Sequence, residues 1–389
     1  MKKWISVLLI LILLLPSPVL AEESEVQKAL KTTSDYMLSV DTNPTRGSEW
    51  FVIGLARYGL DLEHEYFSTY YKNVEDYLKE NKGDLQAGRR FTDYSKLIIT
   101  VTAMGKDARN VAGYNLLENI SDFENVQYQG LNGPIWALIA LKSNPEYTFP
   151  TNPEAKIQNS EEVLVQAILD AEVKGGGWTL YGEEPDTDMT GMAIQSLASY
   201  YHKDGYEKVT EAIDRAVERL SKMQLESGGF GTMGIETSES NAQVITALSS
   251  IGIDIGKDAR FNKNGHTPIE NMLSYRIDGG FMHVRAGAEN NGGGEAGELN
   301  GMATEQGFYS LVAYERFLEG KNALYDMSSE KQVESEKSEA GTSAKQPKDV
   351  TTNQITPAPL TVDTTALIIL GLSALALCIV AVGSRKKEG

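Results

Sequence analysis

The sequence predicts an all-α protein, an (α/α)6 toroid of six helical hairpins with an inner and an outer helix ring, plus one C-terminal transmembrane helix. Three observations predict it. Six runs of apolar and small residues, each opened by a short polar residue, recur at intervals of roughly 40 to 60 residues. Charged amphipathic segments alternate with them, at 26–40, 66–81, 108–119, 161–172, 206–223 and 268–275. A helix apolar around most of its circumference is stable only when buried on all sides, so the six runs are assigned to the inner ring and the amphipathic segments to the outer one. Finally, an uninterrupted run of apolar or small residues fills 364–382.

Lys2 and Lys3 precede an apolar stretch at 4–15, and Val19, Leu20 and Ala21 form a small-residue cleavage pattern before Glu22 and Glu23. Residues 1–21 are therefore expected to be a signal peptide. The helical domain follows at 22–327. Its inner helices are expected to open at Ser48, Asp93, Asn132, Asp188, Asn241 and Thr304, because such side chains accept hydrogen bonds from the free amides of a first turn. In the second half the outer segments end in glycine and an aromatic: Gly177 before Trp178, Gly229 before Phe230, Gly280 before Phe281. Glycine permits the left-handed turn that stops a helix, and the aromatic packs back onto the bundle. The glycine-rich stretch 285–300 before the sixth inner helix reads as a lid or contact loop. Its Gly292, Gly294 and Gly297 have dinucleotide-binding spacing, but no strand precedes them and that motif is rejected.

Residues 328–362 are rich in Lys, Glu, Ser, Thr and Pro and poor in large apolar side chains. Such a stretch buries too little surface to offset its ordering entropy, so a disordered stalk is expected. Residues 363–383 are long and apolar enough for a membrane-spanning helix, and Arg385, Lys386 and Lys387 in the tail 384–389 favour the cytoplasmic side. The expected location is the cell membrane, single-pass, with the folded domain extracytoplasmic. No Leu-Pro-x-Thr-Gly precedes the anchor, so sortase attachment is not expected.

Composition limits the partners. With 36 Lys and Arg against 54 Asp and Glu, the chain has a formal charge of −18 and no basic stripe, which argues against nucleic acid and against a polybasic lipid-binding face. The only cysteine, Cys378, lies in the anchor run. The secreted part therefore has no disulfide, thiolate metal site, thiol nucleophile or thioester.

The repeats Gln224 to Phe230 and Asp278 to Phe281, each followed by a small-residue helix, resemble those of the terpenoid cyclase and protein prenyltransferase α/α-toroid superfamily. The stretch 175–314 is most similar to its single-toroid, cell-surface bacterial branch, which also resembles the transcobalamin and intrinsic factor α-domain. The resemblance spans about 22–327 and is clearest in the second half. It implies the fold; activity has to be tested at the residues, because the superfamily holds enzymes and binders alike.

Prenyltransferase zinc needs Asp, Cys and His on inner helices, and here His64, His202, His266 and His283 lack paired spacing, so no metal site is expected. Class II cyclases protonate an alkene with the middle carboxylate of Asp-x-Asp-Asp; the matching segment is Asp186, Thr187, Asp188, Met189, with the last acid missing. Asp188, with Asp186, is the alternative catalytic reading, and on capping preference Asp188 reads first as a helix N-cap. Glycan chemistry is a further alternative, through Glu295 or Glu298 with the two aspartates, and adhesion another. Thr190 to Leu197 resembles a transcobalamin-type helix. That resemblance implies a ligand-binding rim of Asp186, Asp188, Thr190, Tyr181, Asn241, Gln243, Thr304 and Gln306. The expected function is capture of a small ligand, cobalamin or another corrinoid, or of a surface protein at the toroid mouth, without catalysis and with no required cofactor. The carriers' second, β-rich domain is absent, so a capping protein or a transporter is the expected further partner.

Overall fold

The computed structural model describes residues 23–328. The predicted signal peptide, membrane helix and tail, and the stalk beyond Ser328, lie outside the described residues. No described helix is long and apolar enough to cross a membrane. The described part is all-α in character. Its helices are α1 (Glu25–Val40), α2 (Glu49–Tyr58), α3 (Glu65–Glu80), α4 (Thr92–Ala103), α5 (Phe123–Val126), α6 (Asn132–Lys142), α7 (Glu161–Asp170), α8 (Thr187–Leu197), α9 (Glu207–Met223), α10 (Ser238–Ser250), α11 (Pro268–Leu273) and α12 (Gly301–Leu318). Sheet is limited to a hairpin of β1 (Gly231–Thr232) with β2 (Ile235–Glu236), and to β3 (Arg276–Ile277), β4 (Gly280–Met282) and β5 (Leu299–Asn300) paired antiparallel in that order.

The six apolar runs are α2, α4, α6, α8, α10 and α12. Each packs on the next, and α12 returns to α2, so the neighbours close a cycle. Like positions meet along it: Glu49 opening α2 pairs with Lys96 of α4 at 3.1 Å, and Gln243 of α10 bonds Gln306 of α12. A methyl added at Gly54 of α2 would lie 2.8 Å from the Phe308 ring of α12. At these contacts the neighbours meet at like positions, as parallel helices do. In α10 every residue from Ser238 to Ser249 is buried, whereas α9 buries a stripe of Val209, Ala212, Ile213, Ala216, Val217 and Leu220. Each such Val, Ile or Leu contributes about 1.5–3 kcal/mol through removal of apolar surface from water.

The structure corrects the sequence reading in three places. No α-helix forms over 108–119. A turn bridged between Val111 and Tyr114 carries Ala112 at φ 56° and Gly113 at φ +91°, and a 3-10 turn, Leu116–Ile120, leads to the single turn of α5. Asn115 and Asp122 accept from Leu117 and Glu124 backbone amides, which gives the chain an alternative to helix. Second, the starts expected at Ser48 and Asn132 fall where the helices begin and Asp93 is one residue in, but in the second half the helices start earlier than the chosen polar residues. The caps in the second half are Asp186, Thr237 and Asn300, which accept from the amides of Met189, Ser240 and Ala303 at 2.7, 3.1 and 2.9 Å. Their extended backbones are what a cap needs, and Asp188, Asn241 and Thr304 lie inside the helices. In the first half Ser48 flanks α2 without a side-chain cap bond, and α4 and α6 start at Thr92 and Asn132 behind Phe91 and Leu131. Third, two of the three glycine-aromatic units carry short strands: Phe281 lies in β4 and Phe230 directly precedes β1, whereas Trp178 lies in no strand.

Trp178, Phe230 and Phe281 are fully buried. Thr190 locks the first of these turns: its hydroxyl accepts from Trp178 N at 2.9 Å and donates to Trp178 O at 3.1 Å. Thr304 does the same for the last, accepting from Phe281 N at 3.0 Å and donating to Asn300 O.

Candidate functional site

The starts of α8, α10 and α12 bring together the polar groups that matter. Asp188 occupies the second position of α8 and Glu239 the same position of α10, because Asp186 and Thr237 are the respective caps. Burial pushes the Asp188 carboxyl up to about 7; nearby Asp186 and Glu239 add to the rise, while Ser240 and His283 oppose it. Its Oδ1 is enclosed and has no hydrogen-bond partner. Burial also raises Asp186, against the amides it caps.

Glu239 is 7% exposed and His283 3%. Glu239 Oε2 lies 2.8 Å from His283 Nδ1, and His283 Nε2 lies 2.7 Å from Asn291 Oδ1, in the glycine-rich segment between β4 and β5. Glu239 Oε1 has no partner. Across the cycle, burial pushes Glu305 of α12 up to about 7, with Lys96 opposing and Glu49 adding.

Deeper in, Gln195 of α8 donates to Gln243 Oε1 at 2.9 Å, and Gln243 donates to Gln306 Oε1 at 2.9 Å and to the Tyr309 hydroxyl at 2.8 Å. This polar string links three helices, and Gln195 Oε1 is left without a donor. Beside it Trp50 packs on Trp136 and Tyr309, with ring centroids 5.2 and 5.6 Å apart. Burial first, then Tyr325, Glu305 and Asp188, raise the Tyr309 hydroxyl well above its ordinary value, so both carboxyls act on one interior. From the far ends of the helices Tyr325 reaches Trp136 at 6.0 Å. Its segment is held there by Arg57, which donates to the Ala323 and Asp326 carbonyls. The protein's own aromatic side chains thus fill the middle and leave polar groups at the helix starts.

Of the residues singled out in the sequence, Asp186, Asp188, Gln243 and Gln306 belong to this end. Thr190, Asn241 and Thr304 are fully buried scaffold; Asn241 bonds Pro268 O and Asn271 of α11. Tyr181 is 49% exposed on the loop before α8, and Glu295 and Glu298 lie in the glycine-rich segment. Sequence reasoning missed Glu239, His283, Asn291, Glu305, Gln195, Trp50 and Trp136. Aligning the repeats on their caps would have placed Glu239 with Asp188. A separate groove of about 780 Å³ beside the starts of α2 and α4 is lined by Arg46, Glu49, Tyr77, Arg90, Asp93 and Lys96, whose charges pair with one another. Among the described residues no group of His, Asp and Glu is placed to hold a metal ion. Compared with known proteins, the chain matches no family model and no curated protein.

Proposed function

We propose that the chain is an (α/α)6 toroid held outside the membrane by its C-terminal helix, and that it captures a ligand at the mouth formed by the inner-helix starts. The cycle of apolar helices supports the toroid. One observation carries the binding reading: two enclosed acceptors in the first turns of α8 and α10, Asp188 Oδ1 and Glu239 Oε1, have no donor. A buried acceptor left alone costs about 1–3 kcal/mol, which a donor-bearing ligand recovers. Corrinoids carry a fringe of amide donors, and cobalamin or cobinamide is the proposed ligand class. Met233 and Met302, 81% and 41% exposed at the entries to α10 and α12, together with Tyr181, supply apolar contacts for a capping protein or transporter over a half-exposed ligand.

Thermal unfolding with a panel of corrinoids, isoprenoids and glycans tests the reading. A ligand at 100 times its Kd stabilises by about 2.7 kcal/mol. A shift with corrinoids alone supports it; no shift with any compound removes it and leaves a protein-docking role.

A second reading has its own observation. Asp188, with a pKa of about 7 and an enclosed free oxygen, is poised as a proton donor of the class II cyclase kind. It predicts isoprenoid turnover that Asp188→Asn abolishes without unfolding the protein; absence of turnover in the wild type rejects it.

A further inference from the structure

His283 has an acceptor on each side of its ring. On one side is the Glu239 carboxylate, at 2.8 Å. On the other is the Asn291 amide oxygen, at 2.7 Å. The amide's orientation is fixed by a second bond, because Asn291 Oδ1 also accepts from Gly293 N at 3.2 Å. An imidazolium donates to both acceptors; a neutral imidazole has one proton and satisfies one of them. The carboxylate is the stronger acceptor and keeps it. The Nε2 lone pair then faces the Asn291 oxygen lone pairs, and Asn291 either turns its amide, breaking the bond from Gly293, or withdraws.

The segment this contact holds is built to lie on the ring. A methyl added at Gly293 would sit 2.6 Å from the His283 ring, so only glycine allows the approach. Asn300 Nδ2 donates to Gly293 O at 3.0 Å, and Gly297 N donates to Val284 O at 3.0 Å, which fixes the base of the segment. Residues 286–292 are exposed. The ring itself is fixed from below, since Ser238 N donates to His283 O at 3.1 Å at the start of α10.

We propose that His283 and Asn291 form a protonation-dependent latch that holds segment 285–298 against the first turn of α10 when the imidazole is charged and frees it when the imidazole is neutral. The latch rests on the mouth reading for its consequence alone, which is control of access to the acceptors around Glu239 and Asp188. The charged groups around the ring are Glu239 of α10 and Asp188 of α8. Arg285 is engaged by Glu236 of β2 at 2.8 Å and lies over the Tyr275 ring. Burial opposes the imidazolium, but Glu239, Asn291 and Asp188 outweigh it and raise the pKa above 6.5. A raised histidine pKa gives a contact fully present below 6.5 and lost as pH rises through the folded value. Asp188 ionises in the same range, and its charge moves release to higher pH.

Hydrogen exchange read by mass spectrometry on the full-length protein, from pH 5.5 to 9 and corrected for intrinsic rates, tests the latch without any ligand. Peptides covering 286–298 are expected to lose protection about tenfold per pH unit above the His283 titration, while peptides of α12 do not change. Asn291→Ala, in an exposed segment, is expected to give the open, weakly protected behaviour at every pH. His283→Gln is expected to remove the pH dependence. Protection of 286–298 that is flat with pH in the wild type overturns the latch, as does an Asn291→Ala protein that keeps the wild-type pH dependence. A corrinoid that fails to bind removes the proposed function and leaves this measurement untouched.

Discussion

Replacing Asp188 with asparagine is expected to stabilise the protein in alkaline solution and to have little effect in acid. The carboxyl rises from 3.8 to about 7 because burial penalises its charge. A shift of about 3 units corresponds to roughly 4 kcal/mol at most. Asp188 Oδ1 is enclosed but the residue as a whole keeps some solvent exposure, and screening through that side reduces this to about 2 kcal/mol. A carboxyl with a raised folded pKa binds its proton more tightly in the folded state. Its stabilising contribution is therefore complete below 3.8 and lost as pH climbs through about 7. Between pH 5 and 8 the wild type should lose about 1–2 kcal/mol through this group, and Asp188→Asn should not. Urea unfolding of both proteins at pH 5 and pH 8 reads the difference directly. A variant less stable than wild type by more than about 1 kcal/mol at pH 8 refutes the reasoning, because the charged carboxylate would then be making favourable contacts in the fold.

Two other perturbations follow from the same geometry. Thr190→Val removes the hydroxyl that bonds both Trp178 backbone groups and should cost about 1–3 kcal/mol in chemical unfolding, without altering ligand binding at the mouth. Gln243→Leu leaves Gln195, Gln306 and Tyr309 without their shared partner; a loss of about 2–3 kcal/mol is expected in the same assay, with Trp50 and Trp136 fluorescence altered because Tyr309 packs on Trp50.

The helical architecture was legible because buried helices need apolar runs and covering helices need amphipathic ones, and α9 and α10 display both patterns plainly. Helix starts were less legible. Asp186 and Asp188 are both good capping residues in composition, and only the extended backbone at Asp186 chooses between them. Segment 108–119 carries apolar residues at helical spacing, but Ala112 and Gly113 turn left-handed, and the Asn115 side chain accepts from the Leu117 amide. The site was half legible. Asp188, Gln243 and Gln306 stood out as polar residues in apolar runs. Glu239 was hidden in a run of small polar residues, and its pairing with His283 spans 44 positions that spacing cannot relate. Trp50 and Trp136 lie in the first half, where the glycine-aromatic marker that registers the later repeats is missing.

The central claim is that the helix starts form a ligand site, and equilibrium dialysis of the full-length protein against cobalamin and cobinamide tests it most directly, with Glu239→Gln measured in parallel. The account predicts saturable one-to-one binding that Glu239→Gln weakens by about tenfold, the loss of roughly one good hydrogen bond. No saturation up to about 1 mM corrinoid, or equal binding by the variant, contradicts it.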